Sequence, residues 1–499
     1  MRKQTKLVAV LSTAALLAIG ASMTSFAATG WAEEDGTWVY YNRDGERATD
    51  QWKKSGNNWY WLDSDGEMAI DQLIEDGDNY YYVDINGVMA ANQWVAIDNE
   101  DAGQDDEPDH YWYYFQANGK ALTQGDNDKV SLKTVNGKKY AFDDEGRMLF
   151  GWVDEDSAER VDDTDGDGFK EGTYYFGGED DGAMTVGWLQ LDVTYDEATN
   201  DDYKYTAPVF NDDEDQTRWF YFKSNGKKIY AEDGDRTKDK TINGKKYAFD
   251  EYGAMVAEWS LDEDDEKKAS DTEAQEAAST ASTSEAWEGN GKYAKYTQAW
   301  KYYNSVEDGS RVSKGWFKVV PAEMLNKEKY DDDEESWYYA DGSGNLYAGE
   351  FKTIKGKKYA FRNDGRMLTG LKFIKEGDED FADVKADDDD NRPFDNEDDF
   401  FDYAIEFYEP NGYKCYYFGG DDDGAMRTGK TTINYDGENT SFYFEKSGGK
   451  KGAGVTGEKD DKLYQSGMLL KADSDDKYIV VDKATKTVNG KTVVTYNKL

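Results

Sequence analysis

With one cysteine in 499 residues, Cys415, an internal disulfide is impossible. One histidine, His110, leaves His-based triads and His metal sites almost no footing. Basic residues are scarce: 59 Lys+Arg stand against 105 Asp+Glu, a net charge of −46. That argues against nucleic acid, whose phosphates need a basic footprint, and against anionic lipid. Solubility and self-repulsion account for so much acid, and attraction of cations is compatible with it. Aliphatic stripes at helical spacing are missing beyond the N-terminal region, which excludes long helices. No later apolar run is long enough to span a bilayer.

The N-terminal region is the exception. Arg2, Lys3 and Lys6 precede an apolar run from Leu7 to Ile19, and Ser25-Phe26-Ala27 offers small residues for cleavage. Residues 1–27 read as a secretory signal peptide. Export without disulfides fits a Gram-positive cell surface. The C-terminal residues, Thr487 to Leu499, carry no sorting signal, so attachment is expected to be non-covalent.

What the chain has in abundance is rings (15 Trp, 38 Tyr, 22 Phe), and they are periodic. Trp31, Trp52, Leu73 and Trp94 are spaced by 21 residues, as are Trp38, Trp59 and Tyr80, then Tyr40, Trp61 and Tyr82, and then Gly45, Gly66 and Gly87. A fixed period of this size marks an array of stacked units. Within each unit a short aromatic run (Trp38 to Tyr41, Trp59 to Leu62, Tyr80 to Val83) is bounded by Asp, Asn and Gly. Such runs read as strands joined by tight turns, so one unit is one β-hairpin. A lone hairpin is marginal in water, and each must bury its rings against a neighbour. The expected fold is all-β, an elongated β-hairpin repeat solenoid with long acidic loop insertions.

Beyond Trp94 the spacers lengthen, but Trp112 to Gly119, Trp219 to Gly226 and Trp337 to Gly344 keep the seven-residue step of Trp38 to Gly45. Insertions therefore map to loops. A second unit appears at Val135–Phe142, Ile242–Phe249 and Ile354–Phe361, each followed by a turn glycine and a methionine. It places Lys139, Lys246 and Lys358 seven residues before that glycine, and a faded copy begins at Val488. These units alternate with Trp-bearing ones in a longer repeat of about 110 residues. Gly172–Gly178 with Met184 corresponds to Gly412–Gly420 with Met426. The expected organisation is short-period repeats over 28–124, longer-period repeats over 125–261 and 289–499, and an acidic Ala/Ser/Thr-rich linker or insertion at 262–288. The acidic run Asp383–Asp399 reads as an exposed loop.

The pattern of Gln51-Trp52, Gly56, Trp59-Tyr60-Trp61, Gly66 and Met68-Ala69, with the Gly-Trp starts Gly30-Trp31 and Gly315-Trp316, resembles the choline-binding (cell-wall-binding) repeats of Gram-positive surface proteins. Related glucan-binding repeats share it. The match is tight to about Thr123 and loose over most of the rest. The resemblance implies that choline sits between consecutive hairpins, caged by the opening and strand Trp of one repeat and a ring of the next. Carried over, the first cage is Trp31 and Trp38 with neighbours from Trp52 and Tyr60, and the second is Trp52 and Trp59 with Tyr81. Further pairs are Trp94 with Trp112, Trp188 with Trp219, and Trp316 with Trp337, each separated by an insertion. Leu73 breaks the third unit. The lysine-bearing units lack the strand Trp, and a cation beside Lys139 would be repelled, so they read as structural or glycan-facing.

The bland reading of the rings is glue between hairpins, since Trp and Tyr bury large areas on β surfaces. Trp is also the best aromatic partner for a cation over its face. No cofactor is expected apart from a calcium alternative. Asp163, Asp165 and Asp167 with Gly168 and Glu171 begin like an EF-hand loop, but Tyr174 stands where the bidentate Glu belongs, and the bland reading is a solvated acidic loop. No segment looks like a catalytic domain. Cys415 reads as buried filler in an aromatic strand. The expected function is a secreted surface protein, not an enzyme, held on the wall through choline of teichoic or lipoteichoic acid. The alternatives are a glucan or other cell-wall glycan binder, a wall hydrolase and a host adhesin.

Overall fold

The computed structural model describes residues 29–499 apart from 105–106, 126–127, 196–214, 233–234, 262–290, 379–380, 387–395, 407–411, 421, 436–437, 473–474 and 489. The signal-peptide reading of 1–27, the linker at 262–288 and Trp287 lie outside the described residues. The described residues are mostly strand with few helices, so the all-β hairpin expectation holds. Two compact units are resolved. One comprises the described residues to Leu189 with Phe222–Lys228, and the other comprises Gln190–Tyr221 with Ile229–Leu499.

The first unit shows the repeat at its plainest. Its hairpins pair β1 (Gly30–Glu34) with β2 (Thr37–Tyr41), β3 (Gln51–Ser55) with β4 (Asn58–Leu62), β5 (Gln72–Asp76) with β6 (Asn79–Val83), and β7 (Gln93–Asp98) with β8 (His110–Phe115). The register is conserved from one to the next: Trp31 opposes Tyr40, Trp52 opposes Trp61, Leu73 opposes Tyr82 and Trp94 opposes Tyr114. The acidic insertion after Asp98 leaves that register intact, with Asp98 still opposite His110. In the lysine-bearing unit the tip is Asn136-Gly137, both at positive φ (50° and 85°), the two-residue turn whose twist suits a hairpin.

Each hairpin is followed by a turn around its glycine that returns the chain to the hairpin. The residue two beyond the glycine bridges back to the residue four before it: Leu62 to Met68, Val83 to Met89, Phe142 to Met148. The same residue hydrogen-bonds to the hairpin before it. Met68 N–H donates to the Trp38 carbonyl (2.7 Å), Met89 to Trp59 (2.9 Å) and Met148 to Trp112 (2.7 Å). The methionine side chain then lies under the turn glycine of the next repeat. A Cβ on Gly87, where φ is +75°, would fall 2.8 Å from Met68 Cε. Gly and Met recur in phase because they share one contact, and at this positive φ any side chain in place of the glycine would be strained.

The second unit repeats these bonds. Met255 N–H donates to the Trp219 carbonyl, Met367 to Trp337 and Met426 to Lys358, each at 2.8 Å. Insertions at hairpin tips carry the short helices found among the described residues. These are α1 (Gly291–Ala299), α2 (Lys327–Asp331) and α3 (Glu397–Glu406). The acidic run Asp383–Asp399 corrects the loop reading. Its start lies in the strand Phe381–Ala386 and its end begins α3. Phe381, Val384, Phe400 and Phe401 are buried, and Glu397, Asp398 and Asp399 fill the helix's first turn, where its dipole favours negative charge. Further on, Gly429–Tyr435, Glu438–Phe444, Met468–Leu469, Lys462–Gln465 and Gly457–Lys459 join in one five-stranded sheet instead of separate hairpins. Cys415 is buried in the strand Tyr413–Tyr417, as its aromatic setting suggested.

Candidate functional site: aromatic boxes between hairpins

Side chains alternate along a strand, so each hairpin shows one face to the hairpin before and the other to the hairpin after. Trp31, Tyr40 and Trp38 share the forward face of the first hairpin. Tyr60, on the backward face of the second, meets Trp31 with ring centroids 5.3 Å apart, while Tyr40 meets Trp31 at 5.4 Å. Trp52 turns the other way: it packs on Trp61 (5.3 Å) and on Tyr81 of the third hairpin (5.1 Å). The first box is therefore Trp31, Trp38 and Tyr60 without Trp52, because Trp52 opposes Trp61, whose strand neighbour Tyr60 points to the other face. Trp52, Trp59 and Tyr81 form the second. Trp59 is 40% exposed, and Trp31, Trp38 and Trp52 are half-buried, leaving ring faces open at the interfaces.

Trp94 meets Tyr114 of its own hairpin at 5.2 Å, then Tyr140 at 4.9 Å and Phe142 at 5.8 Å. Trp316 meets Trp337 at 6.4 Å, Tyr339 at 5.1 Å and Tyr359 at 4.8 Å. The lysine-bearing units thus contribute a wall to these boxes through Tyr140 and Tyr359. Neither is among the ring positions that the family resemblance carries over. Their signal was the register, since Tyr60, Tyr81, Tyr140 and Tyr359 all stand six residues before a turn glycine. Burial pushes the Tyr81, Tyr140 and Tyr359 hydroxyls up, so all three stay neutral at physiological pH. Leu73 removes a ring from the third box, where Tyr80 and Tyr82 pack with Tyr111, Tyr113 and Phe115 as plain core. Trp188 and Trp219 fall in different compact units; each is half-buried.

Carboxylates edge three of these sites. Trp112 Nε1 donates to Asp180 (3.2 Å), which also lies 3.2 Å from His110 Nε2. Trp219 Nε1 donates to Glu307 (3.4 Å) and Trp337 Nε1 to Asp422 (2.9 Å). The indole bond from Trp337, with the Lys318 ammonium, holds the Asp422 carboxyl below its usual range. Flat π faces with an acid at the rim can hold a soft cation, and the faces alone can stack on a sugar ring.

The acidic loop behaves differently. Asp163 accepts from Gly168 N–H at 2.9 Å, and Asp167 pairs with Lys170 at 3.3 Å. Asp165 and Glu171 line the same shallow concavity without converging. Among the described residues no group of three or more His, Cys, Asp or Glu side chains is placed to hold a metal ion.

The choline-binding repeat family model matches residues 28–69 and 48–94. The choline binding domain of Spr1274 from Streptococcus pneumoniae is 32% identical, covering 19% of this chain and 95% of that one, with a TM-score of 0.15. The modular autolysin LytC from Streptococcus pneumoniae, solved with a synthetic peptidoglycan ligand, is 17% identical, covering 70% of this chain and 55% of that one at a TM-score of 0.33. The chain thus spans little more than half of LytC. CbpJ from Streptococcus pneumoniae TIGR4 is 19% identical over 68% of this chain and 99% of that one, with a TM-score of 0.25. No curated protein matches the chain. The chain belongs to the choline-binding repeat family. No helix among the described residues is long and apolar enough to cross a membrane.

Proposed function

We propose that this protein is a non-catalytic surface protein that holds itself to a Gram-positive cell wall by caging choline of teichoic or lipoteichoic acid between hairpins. The observation that supports it most is the Trp31–Tyr60 contact, repeated as Trp52–Tyr81, Trp94–Tyr140 and Trp316–Tyr359. Each brings rings of two successive hairpins into edge contact, centroids about 5 Å apart, and so forms a corner whose open faces a trimethylammonium group can approach. Choline has no N–H to donate, so burying its methyl groups against π faces is its main source of affinity. The acids Asp180, Glu307 and Asp422 add a weaker, salt-dependent attraction.

The test is a Trp-fluorescence titration of the full chain with choline chloride, beside NaCl at equal ionic strength. A saturable choline-specific change is expected, reduced in Trp31→Ala and Trp52→Ala. A response identical to NaCl would reject the cage and leave the rings as glucan-stacking or purely structural.

A further inference from the structure

The boxes differ in what supplies their cation. One hairpin beyond the Trp316 box, Phe351 takes the opening position and meets Tyr416 at 5.1 Å and Phe418 at 6.4 Å. Lys358 Nζ lies over the Phe351 ring, 4.3 Å from its centroid. Lys358 is half-buried, and burial pulls its ammonium below the usual lysine range. Its place in the repeat is that of Trp337, seven residues before the turn glycine. The two backbones do the same work, since the carbonyls of Trp337 and Lys358 each accept the amide of a following repeat at 2.8 Å. Only the side chain differs, so this position can change what fills the box without disturbing the stack.

Lys228 gives an independent instance. It stands where other repeats carry methionine, is 3% exposed, donates to the Phe169 carbonyl, and has its ammonium 5.0 Å from the ring centroid of the buried Trp152. The exposed lysines are looser: Lys54 lies 5.7 Å from Trp59 and Lys318 6.0 Å from Trp337.

We propose that Lys358 is an intramolecular ligand whose ammonium occupies the box of Phe351, Tyr416 and Phe418, closing that interface to external quaternary ammonium while the Trp316–Trp337–Tyr359 box beside it stays open. The proposal rests on reading the Trp boxes as choline sites. Two like charges cannot share one box at reduced dielectric, and a tethered cation needs no association entropy. A partly desolvated cation over a ring outcompetes a free one by about thirtyfold, whereas the exposed Lys54 and Lys318 weaken their sites only about threefold.

Two measurements on the full chain decide it. Isothermal titration with choline chloride against matched NaCl should give one more site in Lys358→Ala than in wild type. Lys54→Ala should leave the count unchanged and tighten one site about threefold. Lys358→Gln, which keeps the stem, guards against misfolding of the alanine variant, with near-UV circular dichroism confirming the fold. An unchanged count in folded variants overturns the proposal. The second measurement needs no choline: in the wild-type NMR spectrum the Lys358 Cε protons should be shifted upfield by the Phe351 ring, a shift abolished in Phe351→Ala and absent at the exposed Lys357. Unshifted Lys358 resonances overturn the proposal as well. A wild type that binds no choline while Lys358 keeps its ring-current shift would instead reject the reading of the Trp boxes.

Discussion

The interfaces opened by Trp316 and by Phe351 lie one hairpin apart, share the same backbone bonds and differ in their cation chemistry. At Trp316 the rings are Trp, Trp and Tyr, the rim carries Asp422, and the exposed Lys318 lies 6.0 Å from the Trp337 ring centroid. At Phe351 the Trp is replaced by Lys358, whose ammonium covers the ring at 4.3 Å. The repeat is thus built by the backbone, by the turn glycine and by the methionine beneath it. At these two interfaces the residue seven before the glycine, Trp337 or Lys358, distinguishes one that can receive a cation from one that contains its own.

The largest effect that can break this comparison comes from the opening rings. Trp316→Ala and Phe351→Ala should each cost about 2–3 kcal/mol of stability, since both rings are half-buried and deletion leaves a cavity. They should part in binding: Trp316→Ala loses one choline site, and Phe351→Ala loses none. Calorimetric unfolding gives the first quantity and isothermal titration the second. Equal losses of choline sites in the two variants would abolish the distinction.

The hairpins were legible in the sequence because the period of 21 residues fixes strand, turn and face at once. Trp31, Trp52, Trp94 and Trp316 open their units as read, and the register survived the insertion at Asp98. What the period could not give was which face a given ring serves. Trp52 meets the third hairpin, whereas Lys53, beside it on the strand, lies over Tyr40 of the first, because the pleat sends the two to opposite sides. Asp180, Glu307 and Asp422 were invisible because each lies 68 to 88 residues from the indole it meets. The lysine-bearing units read as repelling a cation, and at Lys358 the side chain is long enough to reach the Phe351 ring itself, which pattern alone does not reveal.

A second, smaller contrast separates two copies of the lysine-bearing unit by one acid in each, Asp143 half-buried and Asp364 buried. Burial pushes the Asp143 carboxyl up to about 6, against 3.8 unperturbed. Burial also pushes Asp364 up, but the Arg366 and Arg362 guanidiniums outweigh it and hold the carboxyl below its usual range. Arg366 Nε donates to Asp364 at 2.7 Å. The signs are opposite. A raised carboxyl pKa favours folding on the acid side, and that contribution is lost as pH rises from about 4 through about 6. A depressed one contributes above about 4 and is lost as pH falls below it. Asp143→Asn should therefore gain about 1–2 kcal/mol at pH 7 and nothing at pH 4, measured by urea denaturation at both. An equal gain at both values would show that charge burial is not the cause.

The smallest expected effect tests the rim of the open box. Asp422→Asn keeps an acceptor for Trp337 Nε1 but removes the negative charge that faces both the box and Lys318. Asp422 is exposed, so its attraction for choline is screened. Choline affinity at that site should fall less than about twofold at 0.15 M salt and by more at 0.01 M. Releasing Lys318 opposes the loss, because the freed ammonium can leave the ring face it now shares with the carboxylate. Titration at the two ionic strengths separates these terms: the Coulomb part grows as salt is removed, and a hydrogen-bonding part does not. A loss independent of salt would mean that Asp422 acts by fixing the Trp337 ring, and the acid would then belong to the walls of the box instead of its field.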